Sequence, residues 1–386
     1  MPDPSLSRLV VTGLDGPRLD ARSRRRLERL APGGVILFRR NVVDPEQVRA
    51  LTREVRAVLG PRAIVSLDQE GGRVQRLRAP FGEWPPMRRI GAAGSTALSR
   101  EVGRALGREV AAAGFDCDFA PVLDVDSNPA NPVIGDRSFH RDPTSAARLA
   151  LAFAAGLRDA GVIACGKHFP GHGDTELDSH LALPIVRRSA RILDRVELAP
   201  FRAAIRARLP MLMTAHVVYT ALDPDLPATL SPAILRDLLR DRLRFRGVVV
   251  SDDLGMHALD AFGPLADRGA AAISAGCDLL LACGSLDQGE EVVAGLEAAR
   301  RRGDLDPAHV AGALRRLDAL HHARTRGVRR PALGPLLRRR EWAPVLARLE
   351  RIEARRAPGS RALAAASRER GRRASRAPKD PTAYRA

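Results

Sequence analysis

Acidic and imidazole side chains crowd four short stretches of this 386-residue chain, each placed just after an apolar run. The first reads Leu67-Asp68-Gln69-Glu70-Gly71-Gly72-Arg73-Val74-Gln75-Arg76. The second, Gly166-Lys167-His168-Phe169-Pro170-Gly171-His172-Gly173-Asp174-Thr175, leads on to Asp178-Ser179-His180. Thr214-Ala215-His216 and Ser251-Asp252-Asp253-Leu254-Gly255-Met256 complete the set. A carboxylate fixed at a strand end, such as Asp252, is suited to attack an electron-poor carbon and form a covalent intermediate. Histidine titrates near neutrality, with an unperturbed pKa of ~6.5, so His180 suits proton transfer. Asp178 beside it can fix the tautomer and stabilise the imidazolium. Lys167 and His168 can donate to hydroxyl groups, and a carboxylate at a strand end such as Asp68 can accept from two at once. Lysine occurs only at Lys167 and Lys379 in a chain whose other cations are arginine, which gives Lys167 chemical weight. Glu70, Asp136, His172, Asp174 and His216 are candidates for a supporting layer.

Taken singly, each group has a plainer explanation. A strand-end Asp caps the following helix, Asp178 and His180 form an ordinary loop pair, and Lys167 makes a buried ion pair. A metal site is weighed and set aside: His168 and His172 are four apart, but Phe169-Pro170-Gly171 between them breaks any helix that would bring both to one ion. No cofactor motif is present, since no GxGxxG follows the first strand.

The elements that must position these groups follow from periodicity. Strands are expected near residues 9–14, 35–38, 63–67, 117–121, 162–166, 211–215, 248–251 and 278–282. Helical patterns lie between them at 45–59, 97–113, 145–160 and 193–208, and Ser231-Pro232 is a good helix start. Eight strands alternating with helices over residues 1–325 predict a single (β/α)₈ TIM-barrel domain, with an open doubly wound sheet as the alternative. The polar motifs then gather at the strand ends, where such barrels carry their chemistry.

From residue 326 to 386 the character changes to an Arg- and Pro-rich extension, expected to be partly helical around 336–356, with Trp342 docking on the body, and then disordered. That segment holds 18 Arg or Lys against 5 Asp or Glu, so it carries most of the chain's net charge of +18. Arginine without interleaved aromatics lacks stacking platforms for single-stranded nucleic acid; the expectation is a solvated tail with at most a weak contact to nucleic acid or another anionic polymer. Met1 to Asp15 shows no secretory signal, no apolar run approaches the ~20 residues of a membrane span, and the four cysteines lack CxxC spacing. A cytoplasmic protein, monomeric and without membrane contact, is the expectation.

The blocks LDQEGGRVQR, VIGDRSF, GKHFPGHGDT, DSH and SDDLGM, in that order, resemble the glycoside hydrolase family 3 β-N-acetylglucosaminidases, over roughly residues 9–324. The resemblance implies a retaining exo-enzyme that hydrolyses terminal β-linked N-acetylglucosamine. It implies Asp252 as nucleophile, His180 and Asp178 as acid/base pair, and Asp68, Arg76, Arg137, Lys167 and His168 as sugar-binding residues. Single-barrel members of the family trim 1,6-anhydro-N-acetylmuramyl peptides in cell-wall recycling, which is the implied role. Three alternatives stand beside it: a glycoside phosphorylase, another family 3 β-glycosidase, and a barrel that binds sugar without cleaving it.

Overall fold

The computed structural model of the chain describes residues 4–175, 183–324 and 330–356; Asp178 and His180 lie outside them. Eight parallel strands close a barrel: β1 (Val10–Gly13), β2 (Gly34–Ile36), β3 (Ile64–Leu67), β4 (Cys117–Asp118), β5 (Ile163–Phe169), β6 (Met211–Thr214), β7 (Val248–Asp253) and β8 (Leu279–Ala282). Each strand pairs with its neighbours in sequence, and β8 returns to β1 through Val10↔Leu280, Val11↔Leu281 and Thr12↔Ala282. These are the eight expected strands, and closure excludes the open sheet. β1 to β6 and β8 are buried along their whole length, which is why they read as continuous apolar runs rather than alternating ones.

The surrounding helices begin where the sequence supplies caps. Asp44 accepts from the Gln47 N–H at 2.7 Å to open Pro45–Leu59, with Pro45 in the first turn. Asp142 does the same for Pro143–Asp159 and Ser95 for Thr96–Ala112. The Ser231 hydroxyl accepts from the Ile234 N–H at 3.1 Å ahead of Ala233–Arg242, which is wound with a wider, π-type pitch. The stretch expected as one helix at 193–208 is two, Ala190–Arg195 and Leu198–Arg206. Pro200 has no N–H to offer the Val196 carbonyl, and Glu197 turns inward at the break, so a continuous helix cannot form there.

A small sheet that the periodicity does not reveal lies against the loop after β5, where the Tyr219 hydroxyl donates to the Gly171 carbonyl. Ile185–Val186 lies parallel to Val218–Tyr219, which pairs antiparallel with Asp223–Pro227.

At the opposite rim, two buried carboxylates clamp the strand starts. Asp116, just ahead of β4, accepts from the Val65 N–H at 2.9 Å and is paired with Arg56 and Arg330. Asp278, just ahead of β8, accepts from the Val249 N–H at 2.8 Å and is paired with Arg240 and Arg316. Polar groups at this face of a barrel serve stability rather than chemistry.

Beyond the barrel helices, Leu333–Arg339 and Ala343–Arg356 run along the outside, and Trp342 between them is buried, as expected. All four cysteines are free and buried. Among the described residues no helix is long and apolar enough to cross a membrane.

Candidate active site

The C-terminal ends of β3, β5 and β7 open into one cavity of about 250 Å³, lined among others by Asp68, Glu70, Arg76, Arg137, Lys167, His168, His172, Asp252 and Asp253. Ligand sites for drug-sized molecules run ~300–1,000 Å³, so the described part of this one is of a size to take a single sugar ring.

One wall is an alternating lattice of charge. Lys167 Nζ lies 2.8 Å from Asp68 and 2.7 Å from Glu70. Arg76 donates to Asp68 at 3.1 Å, and Arg137 grips Glu70 with two bonds of 2.8 Å. Burial alone would push both carboxyls up; the fields of Lys167 and Arg76 on Asp68, and of Arg137 and Lys167 on Glu70, outweigh it and hold both below the usual range. Lys167 is buried too, yet its two carboxylate neighbours raise it above an ordinary lysine. Asp68, Glu70, Lys167 and Arg137 are therefore charged at neutral pH, and the lattice keeps further lone pairs and N–H groups for the hydroxyls of a ligand.

Lys167 and His168 are adjacent, so an even strand would send them to opposite faces. The pairing of β5 with β6 shifts between Gly166 and Phe169, and this irregularity delivers both side chains to the cavity. His168 Nδ1 lies 2.7 Å from Asp124 Oδ2, while the other oxygen of Asp124 accepts from the His168 and His172 N–H groups at 3.0 and 2.8 Å. The proton thus sits on Nδ1, leaving Nε2 as the ring nitrogen for the ligand. Asp124, in the loop after β4, is the residue that sequence reasoning misses; no motif marks it. His172 lines the cavity, its Nδ1 2.9 Å from the Thr175 hydroxyl, and burial with the nearby His168 lowers its pKa to about 4, so it is neutral.

Across from the lattice stands the end of β7. Its pairing with β8 also shifts, between Val250 and Asp253, and both aspartates emerge partly accessible. They are not equivalent. Asp252 receives one hydrogen bond among the described residues, from the Asp253 N–H at 2.8 Å. Burial works to raise its pKa, but the surrounding His168, His216, Asp253 N–H and Lys167 hold it below the ordinary carboxylate value. Asp253 accepts from the Cys283 and Gly255 N–H groups at 3.0 and 3.1 Å, and burial raises it. Asp252 is an ionised carboxylate with lone pairs to spare; Asp253 ties the strand end to its surroundings.

Of the supporting candidates, Glu70 and His172 belong to the cavity itself. His216 lies behind it, its Nε2 donating to the Asp253 carbonyl at 2.9 Å. Asp174 points away into a paired contact with Arg188 at 2.6 Å. Asp136 is exposed and does not line the cavity. Asp178 and His180 are outside the described residues; the flanks of their segment are joined by that Asp174–Arg188 pair. Nearby, the Tyr219 hydroxyl donates to the Gly171 carbonyl at 2.7 Å and holds the loop after β5 against the small sheet.

The chain matches the family model described as Glycosyl hydrolase family 3 N terminal domain over residues 6–320. A curated Beta-hexosaminidase of Alkalilimnicola ehrlichii is 46% identical over 280 residues, covering 71% of this chain and 80% of that protein. NagZ from Neisseria gonorrhoeae, solved in complex with N-trifluoroacetyl-D-glucosamine, is 36% identical with a TM-score of 0.75, covering 91% of this chain and 98% of that one. A family 3 β-N-acetylglucosaminidase from a Paenibacillus species is 39% identical with a TM-score of 0.81, covering 83% of this chain; the chain spans 62% of that longer protein. With a barrel closed as expected, a sugar-sized cavity lined by the matching motifs, and relatives above 40% identity, the chain belongs to glycosyl hydrolase family 3, among its β-hexosaminidases.

Proposed function

We propose that the chain is a retaining exo-β-N-acetylglucosaminidase that works by double displacement. Asp252 attacks the anomeric carbon while His180, supported by Asp178, protonates the leaving oxygen; His180 then activates the water that releases the sugar. Asp68, Arg76, Arg137, Lys167 and His168 hold the terminal ring. The observation that carries this reading is the contrast at the end of β7. Asp252 faces the cavity ionised and lightly bonded, while the carboxylates of the opposite wall, Asp68 and Glu70, are already neutralised by cations at hydrogen-bond distance.

A cavity with room for one ring favours removal of a terminal sugar over cleavage within a chain. The natural substrate in this reading is an N-acetylglucosaminyl-1,6-anhydro-N-acetylmuramyl peptide, met in the cytoplasm by a monomeric enzyme. The N-acetylglucosamine-type ligand of the Neisseria relative and the free, buried cysteines accord with it. In this reading the barrel of residues 1–325 is the catalytic domain, and residues 326 to 386 are an extension to it.

The test is a panel of nitrophenyl β-glycosides assayed with and without inorganic phosphate, with the released sugars identified. Free N-acetylglucosamine as the main product, and selectivity for the N-acetylated substrate, are expected. A sugar 1-phosphate would make the enzyme a phosphorylase, and binding without turnover of any substrate would leave only a sugar-binding barrel.

A further inference from the structure

The helices that follow the barrel lie beyond the stretch matched by the family model, which ends at residue 320. Their contact with the barrel runs, bond by bond, to the sugar-binding wall. Trp342 is 4% exposed, and its indole lies directly on the backbone of Gly82. A Cβ at Gly82 would come within 3.0 Å of two Trp342 ring carbons, so the glycine is what admits the ring. Beneath that contact is Glu109, a buried carboxyl on Thr96–Ala112, which accepts from the Gly82 N–H at 2.5 Å and from the Trp84 indole N–H at 2.7 Å. Trp342 and Glu109 line one cleft between that helix and the two that follow the barrel.

From there the bonds lead inward. The Trp84 N–H donates to the Gln75 side chain at 3.1 Å, and Gln75 in turn donates to the Gly82 and Leu77 carbonyls, each at 2.9 Å. Gln69 donates to the same Leu77 carbonyl and accepts from the Arg76 and Leu77 N–H groups at 2.8 and 3.0 Å. The loop between Asp68 and Trp84 is thus shaped by side-chain amides rather than by a sheet or helix, and its outer end is fixed by Glu109 under Trp342. Removing the indole opens that end to water, which competes for both donors of Glu109.

We propose that the helices Leu333–Arg339 and Ala343–Arg356 are part of the sugar-binding apparatus, with Trp342 a positioning residue that holds the loop after β3 in the shape that presents Asp68 and Arg76. The proposal rests on the assignment of those two residues to the sugar, made above. Two ion pairs, Arg108–Glu341 and Arg348–Glu101, set the helices in place on the same barrel helix, but exposed pairs of this kind contribute little by themselves. The buried indole is the anchor.

The experiment uses the full chain carrying Trp342→Ala, Trp342→Phe or Gly82→Ala, assayed on p-nitrophenyl N-acetyl-β-glucosaminide well below the melting temperature, with Asp68→Asn as the reference. Trp342→Ala should raise KM about tenfold with kcat changed less than threefold, and weaken competitive inhibition by free N-acetylglucosamine in parallel. Trp342→Phe should restore most of the loss. Gly82→Ala, whose added methyl would meet both the Trp342 ring and, at 3.1 Å, the Trp84 indole nitrogen, should also raise KM; if Trp342→Ala does not fold, a rise in KM of about twofold to threefold for Trp342→Phe decides the matter, and an unchanged KM overturns the proposal. A lowered melting temperature with unchanged KM in these variants would make the contact plain packing and overturn the proposal. A fall in kcat alone would do the same. If Asp68→Asn itself leaves KM unchanged, the sugar assignment fails and this proposal fails with it; if Asp68→Asn raises KM and Trp342→Ala does not, only this proposal fails.

Discussion

The two aspartates at the end of β7 make opposite predictions, and the difference can be worked out from their bonds. Asparagine at 252 is isosteric and keeps an oxygen to accept the Asp253 N–H, so the fold should change by less than about 1 kcal/mol. What it loses is the charge and, on the proposed mechanism, the nucleophile. No neighbour can substitute: Asp68 and Glu70 are bound to Lys167, Arg76 and Arg137, and Asp124 is spent on His168. Turnover of Asp252→Asn should therefore fall by at least about three orders of magnitude, or about 4 kcal/mol in the barrier. Asp253→Asn keeps an acceptor for the Gly255 and Cys283 N–H groups and should lose no more than about tenfold, whereas Asp253→Ala strands both donors and should cost stability on the order of 1–3 kcal/mol. Initial rates on p-nitrophenyl N-acetyl-β-glucosaminide, with thermal melts of each variant, give all the numbers required. Asp252→Asn within tenfold of the unaltered enzyme, or Asp253→Asn the more damaged of the two, would refute the assignment.

Lys167→Arg should reduce kcat/KM by about 10- to 100-fold, because a planar fork cannot replace a compact ammonium placed between Asp68 and Glu70; kinetics indistinguishable from the native enzyme would show that only charge matters there. Glu197 is buried, accepts from the Ser127 hydroxyl at 2.6 Å, and burial raises its pKa from an ordinary 4.5 to about 7. The folded chain then keeps a proton that the unfolded chain releases between those values, so this group's contribution is full below pH ~4.5 and is lost as pH rises through about 7. Glu197→Gln should melt with a flatter pH dependence across that window, and parallel curves for the two proteins would contradict the argument. His180→Ala should be least harmful on substrates with a nitrophenolate leaving group, which needs little protonation; an equal loss on activated and natural substrates would remove His180 from the acid/base role.

How much was legible follows from which forces act locally. All eight strands are visible because parallel barrel strands are buried on both faces and leave unbroken apolar runs. Caps at Asp44, Ser95 and Asp142 locate helix starts because the cap bond is made within four residues. The break near Val196 was readable in principle from Pro200, but it took the inward turn of Glu197 toward Ser127, a residue 70 positions earlier, to show why the chain bends there. In the site, Asp68, Lys167, His168 and Asp252 meet in one cavity because strand ends fix where they point, while Arg76 and Arg137 reach it from loops through their pairs with Asp68 and Glu70. Asp124 was invisible for the converse reason: it lies on a loop after the short β4, and its meaning comes only from His168 and His172 folding onto it. The partnership of Glu70 with Lys167 and Arg137 likewise joins residues far apart in sequence.

The two clamped carboxylates at the foot of the barrel have an engineering consequence. Asp116 and Asp278 hold the scaffold from the rim opposite the candidate site; Arg56, Arg240 and Arg316 reach them from helices and Arg330 from the segment that follows the barrel. Because each carboxylate also accepts a strand N–H, from Val65 or Val249, an apolar replacement leaves that donor unpaired, whereas asparagine keeps an acceptor for it. Heat tolerance can therefore be retuned at one end of the molecule while the rate of sugar release is left to the other.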